Sequence, residues 1–227
     1  MKTKQEPHLN SPSQSGPTTR LQKMDNVYIV DDDEAVRGSL SMLLKAEDFN
    51  AMPYATPAAF LEQVDDLPEG LIILDLWMPG MSGLDVIEEL NLRGLTMPII
   101  CITGHGDVGT AVKALKLGAS DFFEKPFESS KLIERVTHCL QEQRSQMQRD
   151  AFTTSAKEIV STLTPRELEV LQGLIEGLRN KQIAYNMNIS IRTVELHRVH
   201  VMDKLEAKSL SDVIKIAIAA DYENIKL

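Results

Sequence analysis

Residues 71–83 read LIILDLWMPGMSG. Four apolar residues, two of them β-branched, run into a single carboxylate, Asp75. Pro79, Gly80 and Gly83 follow, and they cannot continue a strand. A continuous apolar run closed by turn residues is the pattern of a strand buried on both faces of a parallel sheet. Asp75 then stands at the carboxyl end of that strand, the edge where open α/β sheets place their chemistry. An Asp at a strand end is also a common turn former or cap, so its reading depends on what the other strand ends carry.

Working outward, NVYIV at 26–30 leads into Asp31, Asp32 and Asp33, and PIICI at 98–102 ends at Thr103. A short strand at 119–123 precedes Lys125-Pro126, and a weaker one lies at 49–54. Apolar residues at helical spacing mark helices at 34–46, 57–64, 83–92, 108–117 and from 132 towards 148, where the spacing fades after Leu140. Five strands alternating with five helices predict a doubly wound parallel sheet. Right-handed crossovers bring the strand ends to one edge. Asp31, Asp32 and Asp75 converge there and repel one another, so they require a cation at neutral pH. An all-oxygen donor set in a small cluster favours Mg²⁺. With the Lys125 ammonium and the Thr103 hydroxyl, the set suits phosphoryl transfer, which is catalysed by positioning and charge neutralisation. Asp75 is the expected nucleophile, since a carboxylate is already ionised and needs no base.

The size of 227 residues fits this unit plus one smaller module. The N-terminal stretch 1–24 is polar, is expected to be a disordered tail, and lacks a signal peptide's apolar core. No apolar run approaches the roughly 20 residues of a membrane helix. The expected location is the cytoplasm, with no membrane partner. The two cysteines, Cys101 and Cys139, are expected to be buried and reduced. Residues 25–159 carry 11 Lys and Arg against 23 Asp and Glu, while residues 160–227 carry 9 against 9. An acidic module thus precedes one that tolerates a polyanion.

That second module is expected over 163–227, after a helical extension and mobile linker at 141–162. Thr164, Pro165 and Glu167 open a helix with a stripe at Leu168, Val170, Leu171, Leu174 and Ile175. Short helices follow at 181–187, 193–205 and 210–220, the first two joined by a tight turn. Four short helices arranged so predict an all-α helix-turn-helix domain.

The motifs VDDD at 30–33, LDLWMPGMSG at 74–83, ITGHGD at 102–107 and DFFEKPF at 121–127 resemble the receiver domain of two-component response regulators, whose fold is flavodoxin/CheY-like. LTPRELEVL at 163–171, NKQIA at 180–184 and ISIRTVELHRVHVMDKL at 189–205 resemble the LuxR/NarL type of helix-turn-helix. ITGHGD and RTVELHR are similar to the FixJ-like branch in particular. The resemblance places the receiver at 25–140. It implies that a sensor histidine kinase phosphorylates Asp75, and that Mg²⁺ is bound by Asp32 directly, by Asp31 through water, by Asp75 and by the Trp77 backbone carbonyl. Thr103 and Phe122 would form a switch pair, a bistable packing element biased by the new charge. Phosphorylated chains would pair through a face that includes Val112 and Lys116, bind promoter DNA and regulate transcription, with RNA polymerase as a further partner.

The helix at 193–205 is expected in the major groove. Arg192, Glu195, Leu196, Arg198, Val199 and His200 lie on its N-terminal half and exposed face. Glu accepts from cytosine N4, Leu and Val meet thymine methyls, and Arg198 suits guanine or phosphate. Lys181, Thr193, His197, Lys204 and Lys208 are the expected phosphate contacts, although a packed histidine is an equally good reading of His197. Many members of the wider family carry Lys where Glu195 stands, although the FixJ-like branch often has Glu. The less basic reading face favours weak monomer binding, strengthened by pairing on an inverted repeat. Two other functions remain open on the residues alone. A phosphatase using the same pocket would need a second Asp two residues after the first, where this chain has Trp77. A receiver whose C-terminal helices bind protein is the third.

Overall fold

The computed structural model describes residues 24–104 and 108–222. Residues 1–23 of the expected tail and the His105–Asp107 part of ITGHGD fall outside those residues. The chain divides into two compact units, one ending at Pro126 and the other running from Phe127, with Thr96–Pro98 grouped with the second.

In the first unit, strands β1 (Asn26–Val30), β2 (Asn50–Tyr54), β3 (Gly70–Asp75), β4 (Ile99–Thr103) and β5 (Asp121–Glu124) form one sheet in the order β2-β1-β3-β4-β5. Every pairing is parallel. All residues of β1, β3 and β4 are buried, which explains their unbroken apolar runs. Between the strands lie α1 (Glu34–Ala46), α2 (Pro57–Leu61), α3 (Gly83–Leu92) and α4 (Val108–Lys116). The second helix is shorter than its sequence pattern: it stops at Leu61, and Val64–Asp66 forms a separate 3₁₀ turn. Caps fix the helix starts. Thr56 accepts from the Ala59 amide, and Ser82 and Asp85 form a reciprocal capping box on α3.

The strand order reverses direction between β1 and β3. Successive crossovers run one way to β2 and the other way to β4 and β5. The carboxyl ends of β1 and β3 therefore flank the topological switch point, where such sheets open a crevice.

The second unit contains α5 (Ser129–Ser161), α6 (Pro165–Ile175), α7 (Asn180–Met187), α8 (Ile191–Lys204) and α9 (Leu210–Ala219). Here the structure corrects the sequence reading. The expected mobile linker within 141–162 is helical through Ser161. That stretch has no Gly or Pro and is rich in Gln, Glu, Lys, Arg, Met and Ala, all good helix formers. Its end is anchored, because Ala156, Val160 and Leu163 lie in the same core as Leu171 of α6, Ile183 of α7, Val194 and Val201 of α8, and Val213 of α9. The helix expected at 193–205 also begins earlier, at Ile191. Ser190 caps it through the Thr193 amide, so Arg192 and Thr193 occupy its first turn. Between α7 and α8 the chain turns at Asn188, in the left-handed region at φ 54°. Asn tolerates that conformation better than other residues with a Cβ.

Candidate functional site

Three of the expected residues meet at the sheet edge. Asp31 and Asp75 follow and end adjacent strands and are 2% and 7% exposed, whereas Asp32 is open to solvent. One carboxylate oxygen from each lies within 4.8 Å of the others. Lys125, just past β5, bridges the two buried acids: its Nζ donates to Asp31 Oδ2 at 2.8 Å and to Asp75 Oδ2 at 2.9 Å. Its own backbone is tied to β4, since the Lys125 amide donates to the Thr103 carbonyl at 2.8 Å. One ammonium among three carboxylates leaves an excess of negative charge. The donors are all hard oxygens, and one of them faces solvent, so the cluster suits a small hard cation.

Backbone contacts aim the acids. The Trp77 amide donates to Asp75 Oδ1 at 3.1 Å, and the Asp33 amide donates to Asp31 Oδ1 at 2.8 Å. Arg37 Nη1 reaches back from α1 to the Asp31 carbonyl at 2.8 Å. Asp33 itself caps α1 through the Ala35 and Val36 amides. Burial pushes the Asp75 carboxyl above its ordinary range against the pull of Lys125 and of the Trp77 amide. The Lys125 ammonium ends above its usual value: burial lowers it, and the bonds to Asp31 and Asp75 more than offset this.

Thr103 ends β4 and is fully buried. Phe122 is half-buried on β5 and registers with Cys101. Trp77 is 55% exposed, two residues past Asp75. On α4, Val112 and Lys116 are both exposed.

In the helical unit, Lys181, Arg192, Glu195, Leu196, Val199, His200 and Lys208 are exposed, and Thr193 is half-buried. Lys204 and Arg198, two of the expected contacts, have tasks inside the unit. Lys204 Nζ donates to Glu167 Oε2 at 2.7 Å and to the Thr162 carbonyl at 3.2 Å, so its charge is matched within the unit. Arg198 donates to Asn180 Oδ1 at 3.0 Å, fastening α8 to the start of α7. His197 is half-buried, and its Nδ1 has no hydrogen-bond partner among the described residues.

Glu167 was legible in the sequence only as a cap. It is 4% exposed, and its Oε2 accepts both from the Thr164 amide at 2.8 Å and from Lys204 Nζ at 2.7 Å. No sequence signal links residues 37 positions apart. Burial alone would raise the Glu167 carboxyl, but the bonds from Lys204 and Thr164 prevail and hold it at about 2. A lowered folded value means stability that is present above the ordinary 4.5 and lost as pH falls through about 2. Glu167→Gln is expected to lower stability at pH 7 while flattening the acid limb. Urea melts at pH 7 and pH 3 measure this, and equal acid losses in both proteins would contradict it.

Residues 27–137 match the response regulator receiver domain family, and residues 161–217 match the luxR family of bacterial regulatory proteins. The transcriptional regulatory protein FixJ of Azorhizobium caulinodans is 43% identical over 86% of this chain and 92% of its own length. This chain belongs to the two-component response regulators of the FixJ-like, LuxR-type branch. The response regulator protein TodT of Pseudomonas putida is 37% identical over 90% of each chain. Among solved structures, the response regulator StyR gives a TM-score of 0.73 at 37% identity, covering 86% of this chain and 98% of that one. Full-length FixJ from B. japonicum gives 0.58 at 38% identity, covering 87% and 98%. The response regulator is a two-component transcription regulator with a receiver and a DNA-binding domain, and it is not an enzyme. Among its described residues, no helix is long and apolar enough to cross a membrane.

Proposed function

We propose that this protein acts in the cytoplasm, that Asp75 receives a phosphoryl group from the phosphohistidine of a sensor histidine kinase, and that this charge turns on promoter binding. The observation that carries the proposal is the Lys125 ammonium bridging Asp31 and Asp75 at 2.8 and 2.9 Å beside the exposed Asp32. An Asp75 oxygen attacks phosphorus, an O–P bond forms, and the N–P bond to the kinase histidine breaks. The departing ring nitrogen takes a proton from solvent. Lys125 stands where it can pair with a phosphoryl oxygen, and Thr103, at the end of β4, would supply the switch hydroxyl. Asp31, Asp32, Asp75 and the Trp77 carbonyl would hold Mg²⁺, which supplies charge neutralisation for the transferring group.

Phosphorylation would bias Thr103 and Phe122 towards a second packing. That would reshape the α4 and β5 face, pair two copies through residues including Val112 and Lys116, and seat two reading helices on an inverted repeat. RNA polymerase is the downstream partner of a bound dimer. Incubation with acetyl phosphate and Mg²⁺, followed by sedimentation, tests the chain of events. The expected result is a shift from monomer to dimer that chelation of Mg²⁺ prevents; dimer formation without phosphorylation would overturn it.

Trp77 gives a further expected outcome. Its indole stands two residues past the acceptor and is half in water, where it would obstruct water approaching the phosphoryl group. Trp77→Asn should shorten the lifetime of phosphorylated Asp75 several-fold. An unchanged or longer lifetime, followed by loss of label after donor removal, would contradict this.

A further inference from the structure

Tyr185 is 87% exposed, the greatest exposure of any large hydrophobic side chain among the described residues. A single exposed apolar residue needs no explanation by itself; the position of this one does. It lies on α7, the first helix of the helix-turn-helix, whose opposite side buries Ile183 and Ala184. That inner side is tightly seated: a Cβ on Gly173 of α6 would come within 2.7 Å of Ile183 Cγ1. With the inner face committed, Lys181 and Tyr185, four residues apart, share the outer face, with Gln182 beside them. All three are exposed, and the Tyr185 hydroxyl makes no hydrogen bond among the described residues.

The surrounding charge names the partner. Residues 177–194 span α7, the turn and the first turn of α8, and contain Arg179, Lys181 and Arg192 but no Asp or Glu. The rest of residues 160–227 carries 6 Lys and Arg against 9 Asp and Glu, so the basic charge is concentrated in this stretch. In a helix-turn-helix the first helix crosses the DNA backbone while the second enters the groove. Tyrosine hydroxyls are among the side-chain groups that donate to phosphate oxygens.

We infer that Tyr185 is a DNA-backbone contact, its phenol donating to a phosphate one helical turn from the one met by Lys181. The inference rests on the DNA-binding reading above and adds a neutral, sequence-independent contact to it. The neutrality gives a signature. A cation that leaves the interface lowers the salt dependence of binding by about one counterion, whereas a phenol releases none.

The test is fluorescence anisotropy of the full-length protein, treated with acetyl phosphate and Mg²⁺, on a 30-base-pair duplex (a length of about three helical turns) of arbitrary sequence. Tyr185→Ala and Tyr185→Phe are each expected to weaken binding about 5-fold, the loss of one hydrogen bond, with the salt slope unchanged. Lys181→Ala is expected to weaken binding and reduce the slope by about one. Thermal melts should be unchanged for both Tyr185 variants, because the side chain is 87% exposed. If wild type binds and both Tyr185 variants bind equally well, the inference is overturned, and a transcription defect in those variants would assign this face to polymerase instead. A Tyr185→Phe protein that binds like wild type while Tyr185→Ala is weakened would overturn the hydroxyl contact. If wild type itself fails to bind, the DNA-binding reading falls first and takes this inference with it.

Discussion

Gly83→Ala is expected to destabilise the receiver by about 2–3 kcal/mol and to slow phosphorylation of Asp75. Gly83 is the first residue of α3, behind the Ser82 cap. Helix propensity alone predicts the opposite sign, since Ala in a helix is favoured over Gly by about 1 kcal/mol. Sterics decide against it. A Cβ at Gly83 would run into the Asp75 carbonyl oxygen and come within 2.8 Å of Leu76 Cα and 3.0 Å of Leu76 Cδ2. The first two are backbone atoms and cannot rotate away, so β3 or α3 must shift; overpacking of this kind costs about 1–3 kcal/mol. Gly83→Val should cost more. The displacement falls on the strand end that aims the acceptor, so urea melts and acetyl phosphate labelling should fail together. Stability within 0.5 kcal/mol of wild type, roughly the range of an ordinary surface change, would show that the turn absorbs the methyl group.

Asp75→Asn is expected to abolish phosphorylation and, in metal-free buffer, to raise stability. The acceptor is a buried carboxylate beside Asp31, and burial holds its folded value above the ordinary carboxyl range. A raised value in the folded state means that this state binds the proton more tightly. Stability therefore falls as pH rises from the ordinary carboxyl value through the raised one, and is flat above it. An amide at this position carries no charge to desolvate, so that fall should disappear in the variant. Chelated protein melted at pH 4 and pH 7 gives the comparison. Added Mg²⁺ should stabilise wild type far more than the variant, since one of three anionic ligands is gone. A variant less stable than wild type at pH 7 would show that Lys125 repays the full cost of burying Asp75.

The sheet was legible because its strands are buried on both faces. LIILD and PIICI admit no helical reading once Pro79, Gly80 and Thr103-Gly104 close them. The meeting of Asp31, Asp75 and Lys125 followed from the handedness of the crossovers rather than from any local signal. In the helical unit, less was legible. Between Leu140 and Ala156 the fifth helix presents almost no apolar stripe, so its pattern reads as a linker, yet Ala156, Val160 and Leu163 fasten its end into a core that only the folded chain assembles. Lys204 and Arg198 looked like free cations because their partners, Glu167 and Asn180, lie 37 and 18 residues away. The steric role of Gly83 was hidden for a similar reason: its sequence context marks a turn, while the atoms it must avoid belong to the strand before that turn.

The central claim is that Asp75, rather than any neighbouring carboxylate, carries the phosphoryl group. Borohydride reduction of the phosphorylated protein converts an aspartyl phosphate to homoserine, and peptide sequencing by mass spectrometry locates it. The account predicts homoserine at position 75 and none at Asp31, Asp32 or Asp33. Homoserine at one of those three, or a phosphorylated chain with none at position 75, would contradict it.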